Sequence, residues 1–379
     1  MIFISGTTLS LFLSLLVLFK IKKNRADYIL MIWFIVIGIH LLLFYLDISG
    51  YSKTHTNLLG VIMPFPFIHG PLLFLYVSAL VNPVSKKKIF DGIHSLPFVL
   101  CFVYLIKFFG FPPERKLYIM EHKGIGFETF VTVKFFAIII FGLGYIIWSL
   151  ILINKHKQNI RNKFSNLEKI NLQWLQYLTY GLGIIWLVII FDNEIYTFIS
   201  VLIFIVIIGF FGIRQVGIFT NNQFAELPQY QKENIGDGLS AHENIENNFV
   251  QYEKSGLTQE KKQILGIELE KLMVEKKVFL NPELSLDLLA AQLSIHSNYL
   301  SQYINEELGV SFYDYVNKHR VMEFEKLAAN PENHKFTILA LAYDCGFNSK
   351  STFNRYFKKV TGLSPSTYLS NQQLESAQN

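Results

Sequence analysis

The chain has 379 residues, enough for two or three domains, and 51% of them are hydrophobic. Its mean hydropathy of +0.32 is high for a soluble protein, and the apolar excess lies in residues 1–213. The formal net charge of +5 comes from the same half, since residues 214–379 carry more Asp and Glu than Lys and Arg. A protein that binds nucleic acid over a generally basic surface is therefore excluded. Two distant cysteines, Cys101 and Cys345, also exclude a disulfide framework.

Residues 1–213 predict a domain of seven membrane-spanning helices, since about 20 apolar residues cross a bilayer as a helix. The candidate segments are 2–19, 28–46, 58–80, 93–111, 130–153, 172–191 and 195–213. The third segment contains Pro64, Pro66 and Pro71, so we expect a kinked helix there. Met1 leads directly into apolar sequence without a positively charged region. The first segment is therefore predicted to be an uncleaved crossing and not a secretory signal.

Charges in the loops predict the orientation of these helices. Most of the loop Lys and Arg residues lie in 20–27, 82–92 and 154–171, and few lie in 47–57, 112–129 and 192–194. Positively charged loops stay on the cytoplasmic side. We therefore expect the N-terminus outside and everything after residue 213 in the cytoplasm.

Ionisable residues inside the apolar half are functional hypotheses by default. His69, between Pro66 and Pro71, is the candidate for a ligand pocket, because broken helices often line cavities; the alternative is a structural hydrogen bond. Lys107 and Lys134 lie near segment ends, where their side chains can extend to the membrane surface. The sequence has no H-E-x-x-H, G-x-S-x-G or P-loop motif. We accordingly expect no catalytic residues, no cofactor and no metal.

Residues 214–257 predict a cytoplasmic linker, because they are rich in Gln, Asn, Glu and Gly and lack a sustained apolar period. Residues 258–280 predict an amphipathic connecting helix that begins at Thr258. Its apolar face consists of Ile264, Leu265, Leu269, Leu272 and Met273. This helix either packs on the domain that follows or relays a signal through a dimer, and two heptads are too few to indicate a coiled coil.

Residues 281–370 contain an internal repeat, and residues 371–379 form a polar tail. At an offset of 53 residues, Tyr303 corresponds to Tyr356 and Gly309 to Gly362. Each copy has the pattern of a helix, a tight turn and a second helix, and a long helix that begins at Ser311 joins the two copies. The predicted fold is thus all-α: a seven-helix transmembrane bundle, a linker and a soluble double helix-turn-helix domain.

The second helix of the second copy lies between Asn348 and Pro365 and is predicted to read DNA. Its apolar face consists of Phe353, Tyr356, Phe357 and Val360, and its polar face carries Lys350, Asn354, Arg355 and Lys358. Arg and Asn side chains can make two hydrogen bonds to a base edge in the major groove. Two such helices on one rigid connector would enter successive major grooves, which lie roughly 34 Å apart.

Residues from Leu284 to Leu369 resemble the DNA-binding domain of the AraC/XylS family of bacterial transcription regulators. The second copy, ILALAYDCGFNSKSTFNRYFKKVTGLSPSTY, contains the family's I-x-x-[IL]-A-x-x-x-G-F pattern. It then continues with the S-x-F-x-R-x-F-K-x-x-x-G-x-S-P spacing. The apolar half resembles, in architecture only, the membrane sensor regions that some members of this family carry.

The resemblance implies which side chains contact DNA. Base-edge contacts are expected from Asn298, Ser301 and Gln302 in the first unit and from Lys350, Ser351, Asn354 and Arg355 in the second. Phosphate contacts are expected from Ser349, Lys358 and Lys359. The first reading helix carries no cation, so the affinity of one monomer should be modest. A homodimer, or confinement at the membrane, would compensate.

These observations predict a membrane-bound one-component transcription regulator, not an enzyme, in the bacterial inner membrane. It would bind double-stranded DNA under the control of an unknown envelope or membrane signal. An alternative of another class is a transporter or intramembrane enzyme with a C-terminal regulatory module that binds DNA or protein. Transporters often contain an internal repeat of their membrane segments, and no such repeat is visible here.

Overall fold

The computed structural model describes residues 2–82, 90–168, 170–190, 194–215 and 258–378. These residues are helical apart from turns and one isolated β-bridge, which confirms the all-α prediction for this part of the chain. They fall into two compact units. The first comprises the described parts of Met1–His156 and Leu172–Leu227, and the second those of Lys157–Asn171 and Pro228–Asn379. Residues 216–257 of the predicted linker lie outside the described residues.

Helices of the first unit cover the apolar segments. They are α1 Ile2–Leu18, α2 Arg25–Ile48, α3 Tyr51–Thr54, α4 Pro66–Val81, α5 Leu96–Phe109, α6 Pro113–Glu121, α7 Glu128–Arg161, α8 Gln173–Ile190 and α9 Glu194–Gln215. Three spans are long and apolar enough to cross a membrane: Arg25–Ile48, Gly92–Phe109 and Glu128–Arg161. Shorter apolar helices occupy Phe3–Leu18, Pro66–Val81 and Tyr196–Gly212. The bundle of seven crossings therefore stays a prediction.

One expectation for this unit is wrong. The third apolar segment is not one kinked helix, because residues before Pro66 form turns and only Pro66–Val81 is helical. Pro64 and Pro66 have no backbone N–H with which to continue a helical hydrogen-bond ladder from the preceding residues, whereas Pro71 is tolerated inside α4. The predicted loop 112–129 contains α6, which begins with Pro113 at its first position, where the missing N–H costs no hydrogen bond.

The second unit has seven helices in its described residues. They are α10 Gln259–Val274, α11 Leu286–Gln292, α12 Ser297–Gln302, α13 Phe312–Ala329, α14 Ile338–Asp344, α15 Lys350–Thr361 and α16 Pro365–Gln378. The caps agree with the sequence. Ser285, Ser311 and Thr337 each accept a hydrogen bond from the backbone N–H three residues later.

Helix α13 contributes to two separate hydrophobic cores. Phe312 and Val316 lie in the core of the first helix-turn-helix unit, and Val321 and Phe324 lie in the core of the second. All four side chains are almost completely buried. The connecting helix α13 therefore contributes to both cores, and burial of apolar surface fixes the two helix-turn-helix units to it.

Helix α10 packs into the first of these cores through Leu265, Leu269, Leu272 and Met273. This favours the alternative in which the connecting helix packs on the domain that follows. Ile264 was expected on the same face, but it is 52% exposed. Val360, expected on the apolar face of α15, is also exposed. Both lie at the margin of their apolar stripe, beyond the reach of the core.

The turn between α14 and α15 approaches the backbone of residues 279–280 closely. Gly346 has φ +88°, and a Cβ there would lie 2.7 Å from the carbonyl oxygen of Phe279 and 2.8 Å from that of Leu280. Gly362 also has a positive φ, +78°, but a Cβ there would meet no atom within 4 Å. Gly346 thus combines a left-handed backbone with a close approach, whereas Gly362 has only the backbone requirement.

We predict that Gly346→Ala destabilises the second unit by about 3 kcal/mol or more, because the left-handed backbone cost of ~1–2 kcal/mol is increased by the clash. Gly362→Ala is the matched control and should lose only about 1–2 kcal/mol. Native-state hydrogen exchange of the α13 amides measures both losses. Equal losses in the two variants would contradict the close approach.

Candidate nucleic-acid interface

One face of helix α15 packs against the protein and the opposite face is exposed to solvent. Ser349 caps it by accepting a hydrogen bond from the Thr352 N–H at 3.2 Å, and Gly362 ends it in a left-handed conformation. Phe353, Tyr356 and Phe357 are buried in the second core. The opposite face is exposed and carries Lys350, Ser351, Asn354, Arg355, Lys358 and Lys359. This arrangement places cations and side chains that are able to hydrogen-bond to a base edge on one accessible surface.

The corresponding helix of the first helix-turn-helix unit carries two acidic residues and no cation. It consists of α12 and a π-helical turn, Tyr303–Glu307, and Leu300 and Ile304 are completely buried. Asn298 is exposed. Two other predicted contact residues are partly exposed and already have local partners, since Gln302 donates to Glu306 at 2.9 Å and Ser301 Oγ accepts from Asn305 at 3.2 Å.

Two cations of α15 are positioned by the first turn of α13. Arg355 Nη2 donates to the Tyr313 hydroxyl at 3.3 Å. Lys359 Nζ donates to Asp314 Oδ1 at 2.6 Å, and Arg161 contacts the other oxygen of the same carboxylate at 2.7 Å. The orientation of the reading helix is thus tied to the connector by polar contacts as well as by the core.

Asp314 stays ionised in this cluster. Burial raises the pKa of this carboxyl, but hydrogen bonds from Lys359, Ser311 and Arg161 outweigh burial and lower the pKa below its usual range. Lys359 must therefore leave an ionised partner to contact a phosphate. Lys350 and Lys358 are exposed, and no side-chain partner is found for them within the described residues.

Sequence reasoning missed a carboxylate at the start of α15. Glu168, between α7 and α8, belongs to the second unit. Its Oε1 accepts hydrogen bonds from the hydroxyls of Ser349, Thr352 and Ser351, the last two at 2.9 Å and 3.4 Å. Both serines are predicted DNA contacts. No pattern in the sequence predicts this pairing, because Glu168 and Ser349 are 181 positions apart.

His69, the predicted pocket residue, lines a cavity of about 300 Å³ in the first unit. Helices α2, α4, α8 and α9 form its walls. The Trp33 indole N–H donates to His69 Nδ1 at 3.3 Å, and His69 Nε2 lies 2.9 Å from His40 Nδ1. Trp186 also lines the cavity, and its buried Nε1 has no hydrogen-bond partner among the residues that the structure describes. The structure thus gives His69 both a structural hydrogen bond and a place at a cavity.

Within the described residues, no group of three or more His, Cys, Asp and Glu side chains could hold a metal ion. Cys101 and Cys345 are both buried and unpaired with each other. The exposed face of α15 presents side chains that can form hydrogen bonds and ion pairs, namely Arg355, Asn354 and the lysines.

Comparison with known proteins bears on the same region. The family model of a helix-turn-helix domain matches residues 289–371. An uncharacterized HTH-type transcriptional regulator of Bacillus subtilis (strain 168), YtdP, is 31% identical over 86 residues, which cover 23% of this chain and 11% of the relative. The chain therefore matches only a small part of that protein. No solved structure matches the chain. The C-terminal part of this chain is a helix-turn-helix domain of the AraC type.

Proposed function

We propose that the protein is a sequence-specific DNA-binding transcription regulator, anchored in the bacterial inner membrane and controlled by its apolar half. The observation that carries the DNA-binding part is the shared helix α13. Both helix-turn-helix units pack against this helix, while α15 exposes Arg355 and Asn354. Such a pair of reading helices on one connector fits successive major grooves of one duplex. The protein acts through binding and not through catalysis.

Membrane anchoring is supported by the three long apolar helices and by the charges of the loops. In the proposed topology the N-terminus is outside, seven segments cross the bilayer and the DNA-binding unit lies in the cytoplasm. Control by the membrane half is supported by residues 157–171. They comprise the last residues of α7 and the segment that leads to α8, yet they belong to the compact unit that contains the DNA-binding domain.

Modest affinity per monomer follows from the charges of the two reading helices. The exposed surface of α12 offers no Lys or Arg and is followed by the exposed Glu306 and Glu307. Phosphate neutralisation dominates affinity for DNA, so most of it must come from α15. A homodimer on two adjacent sites supplies the missing contacts in the proposed active form.

The cavity that His69 lines is proposed as the site of the signal. The indole N–H of Trp33 can only donate, so His69 Nδ1 must accept. Neutral His69 then carries its proton on Nε2 and donates this hydrogen bond to His40 Nδ1. Because His40 Nδ1 accepts, the N–H of neutral His40 is on Nε2. No acceptor for that N–H is found within the described residues.

Two N–H donors, on His40 and Trp186, are thus left for a ligand in a mostly apolar cavity, whose lining also includes Thr197. Its volume lies at the lower end of the range of small-molecule sites. None of the described residues that line it is Lys or Arg. The ligand class that fits is an uncharged, mostly apolar molecule with a carbonyl oxygen, because a carboxylate would find no cation there.

For DNA binding, we predict different effects of two substitutions on α15. Arg355→Ala should cost about 1–3 kcal/mol of discrimination at one base pair, because a bidentate contact to guanine is lost. Lys358→Ala should weaken binding to all sequences alike and reduce the slope of log affinity against log salt by about 1. Fluorescence anisotropy of the full chain in nanodiscs, with duplexes enriched from a random pool, measures both.

Lys276→Ala is the control for these variants, since it removes an exposed lysine that follows α10. It should leave affinity and discrimination close to those of the wild type. Retention of DNA that is non-specific and fully sensitive to salt would contradict the proposed function.

For the cavity, we predict that 2-undecanone binds the full chain in nanodiscs more tightly than undecane does. Trp186→Phe removes one donor and should lower the affinity for the ketone roughly 2- to 10-fold, as expected for one hydrogen bond. Trp148→Phe, at an exposed position outside the cavity lining, is the matched control. Calorimetric titration measures the affinities. Equal binding of ketone and alkane, or equal effects of the two substitutions, would contradict the site.

A further inference from the structure

A segment between two apolar helices is built into the DNA-binding unit. The Ser165 N–H donates to the carbonyl of Leu284 at 3.2 Å, and the Leu286 N–H donates to the carbonyl of Lys163 at 2.9 Å. These two bonds form the isolated antiparallel bridge between Phe164 and Ser285. The bridge lies at the start of α11, in the first helix-turn-helix unit.

Ser165 is the anchor of this segment. It is 1% exposed, and its hydroxyl donates to the carbonyl of Leu284 at 2.6 Å. Its carbonyl accepts from Asn317 at 3.3 Å and from Arg320 at 3.4 Å, and its hydroxyl accepts from Arg320 at 3.2 Å. Withdrawal of Ser165 would leave buried donors of a charged side chain without acceptors, which is costly. The anchor is therefore a permanent part of the unit.

Beyond the anchor, the segment reaches the second helix-turn-helix unit. Leu167 packs against the second core. Glu168 is exposed, and its carboxylate lies against the hydroxyls of Ser349, Ser351 and Thr352 at the start of α15. An exposed carboxylate held by hydroxyls can be exchanged without disturbing the core. Glu168 is thus the labile end of a segment whose other end is fixed.

The start of α15 is a position that suits a DNA phosphate. The N-terminus of a helix carries partial positive charge and unsatisfied N–H groups, and protein–DNA complexes use helix N-termini and Ser or Thr hydroxyls to bind phosphate oxygens. Glu168 supplies an anion at this place from within the chain. It also engages Ser349 and Ser351, two of the residues expected to contact DNA.

We propose that Glu168 is a built-in competitor of DNA, whose carboxylate occupies the phosphate position at the start of α15 and must leave before α15 docks. This inference rests on the proposed function and specifies its regulation. Glu168 lies four residues before Leu172, where the chain enters the first unit and α8 follows. A change at the start of α8 therefore acts on the contact through the chain itself.

The test uses the full chain in phosphatidylcholine nanodiscs and a duplex enriched with that chain from a random pool. Glu168→Ala should bind the duplex roughly tenfold more tightly, equivalent to about 1.4 kcal/mol. Glu275→Ala removes the same charge from an exposed position after α10 and should change affinity less than about twofold. Thr352→Val keeps Glu168 but removes one of its donors, so it should give a smaller gain in the same direction.

Hydrogen exchange of the α15 amides checks that each variant keeps this helix. An unchanged or weaker affinity of Glu168→Ala with α15 intact would overturn the proposal, and so would an equal gain in Glu275→Ala, which would indicate net charge alone. Failure of Glu168→Ala to keep α15 would also overturn it, because the contact would then be structural. If neither the wild type nor any variant binds a specific duplex, the proposed function itself is wrong.

Discussion

The second unit depends on one buried guanidinium, that of Arg320. Its Nε donates to the carbonyl of Phe279 at 2.8 Å, and its two terminal nitrogens donate to Asn281, Asn317 and Ser165. All five N–H groups of the side chain thus have an acceptor. Burial lowers the pKa of Arg320 to about 10, which leaves it charged at neutral pH. A buried charge satisfied in this way fixes every segment that supplies an acceptor.

Those segments come from distant parts of the chain. Residues 279–281 precede the first helix-turn-helix unit, α13 connects the two units, and Ser165 comes from between α7 and α8. The Gly346 turn approaches the same place, since a Cβ there would lie 3.0 Å from Arg320 Nε. The two reading units and the segment from the apolar half are therefore held at one polar centre. Hydrophobic burial on α13 stabilises each unit, whereas the Arg320 contacts determine which segments meet.

Local features of this fold follow from the sequence, because they depend on neighbouring residues. The caps at Ser285, Ser311 and Thr337 and the end of α15 at Gly362 were all predictable from residue type and spacing. The early break before α4 was not predicted, because hydropathy does not register the backbone N–H groups that Pro64 and Pro66 lack. The helix α6 was missed for a related reason, since its composition is polar although Pro113 marks its start.

The candidate interface also has a part that the sequence predicts and a part that it does not. A face of α15 that exposes Lys350, Asn354 and Arg355 follows from helical periodicity. The pairing of Lys359 with Asp314 and the contact of Glu168 with Ser349 join positions far apart in sequence, so no period or motif reveals them.

These long-range pairs change the electrostatic description of the reading helix. Its cations are less available than the sequence indicates, because Asp314 holds Lys359 and Glu168 lies at its positive end. Affinity for phosphate falls with each cation that is neutralised within the protein, as it does with each cation that is absent. Some of the charges in the DNA-binding half are thus paired with each other inside the fold. The number of α15 cations that can contact DNA therefore depends on whether the carboxylates of Asp314 and Glu168 stay in place. Lys350 and Lys358 remain as the constant part of this cationic surface, and the Glu168 contact is the part that the chain can alter.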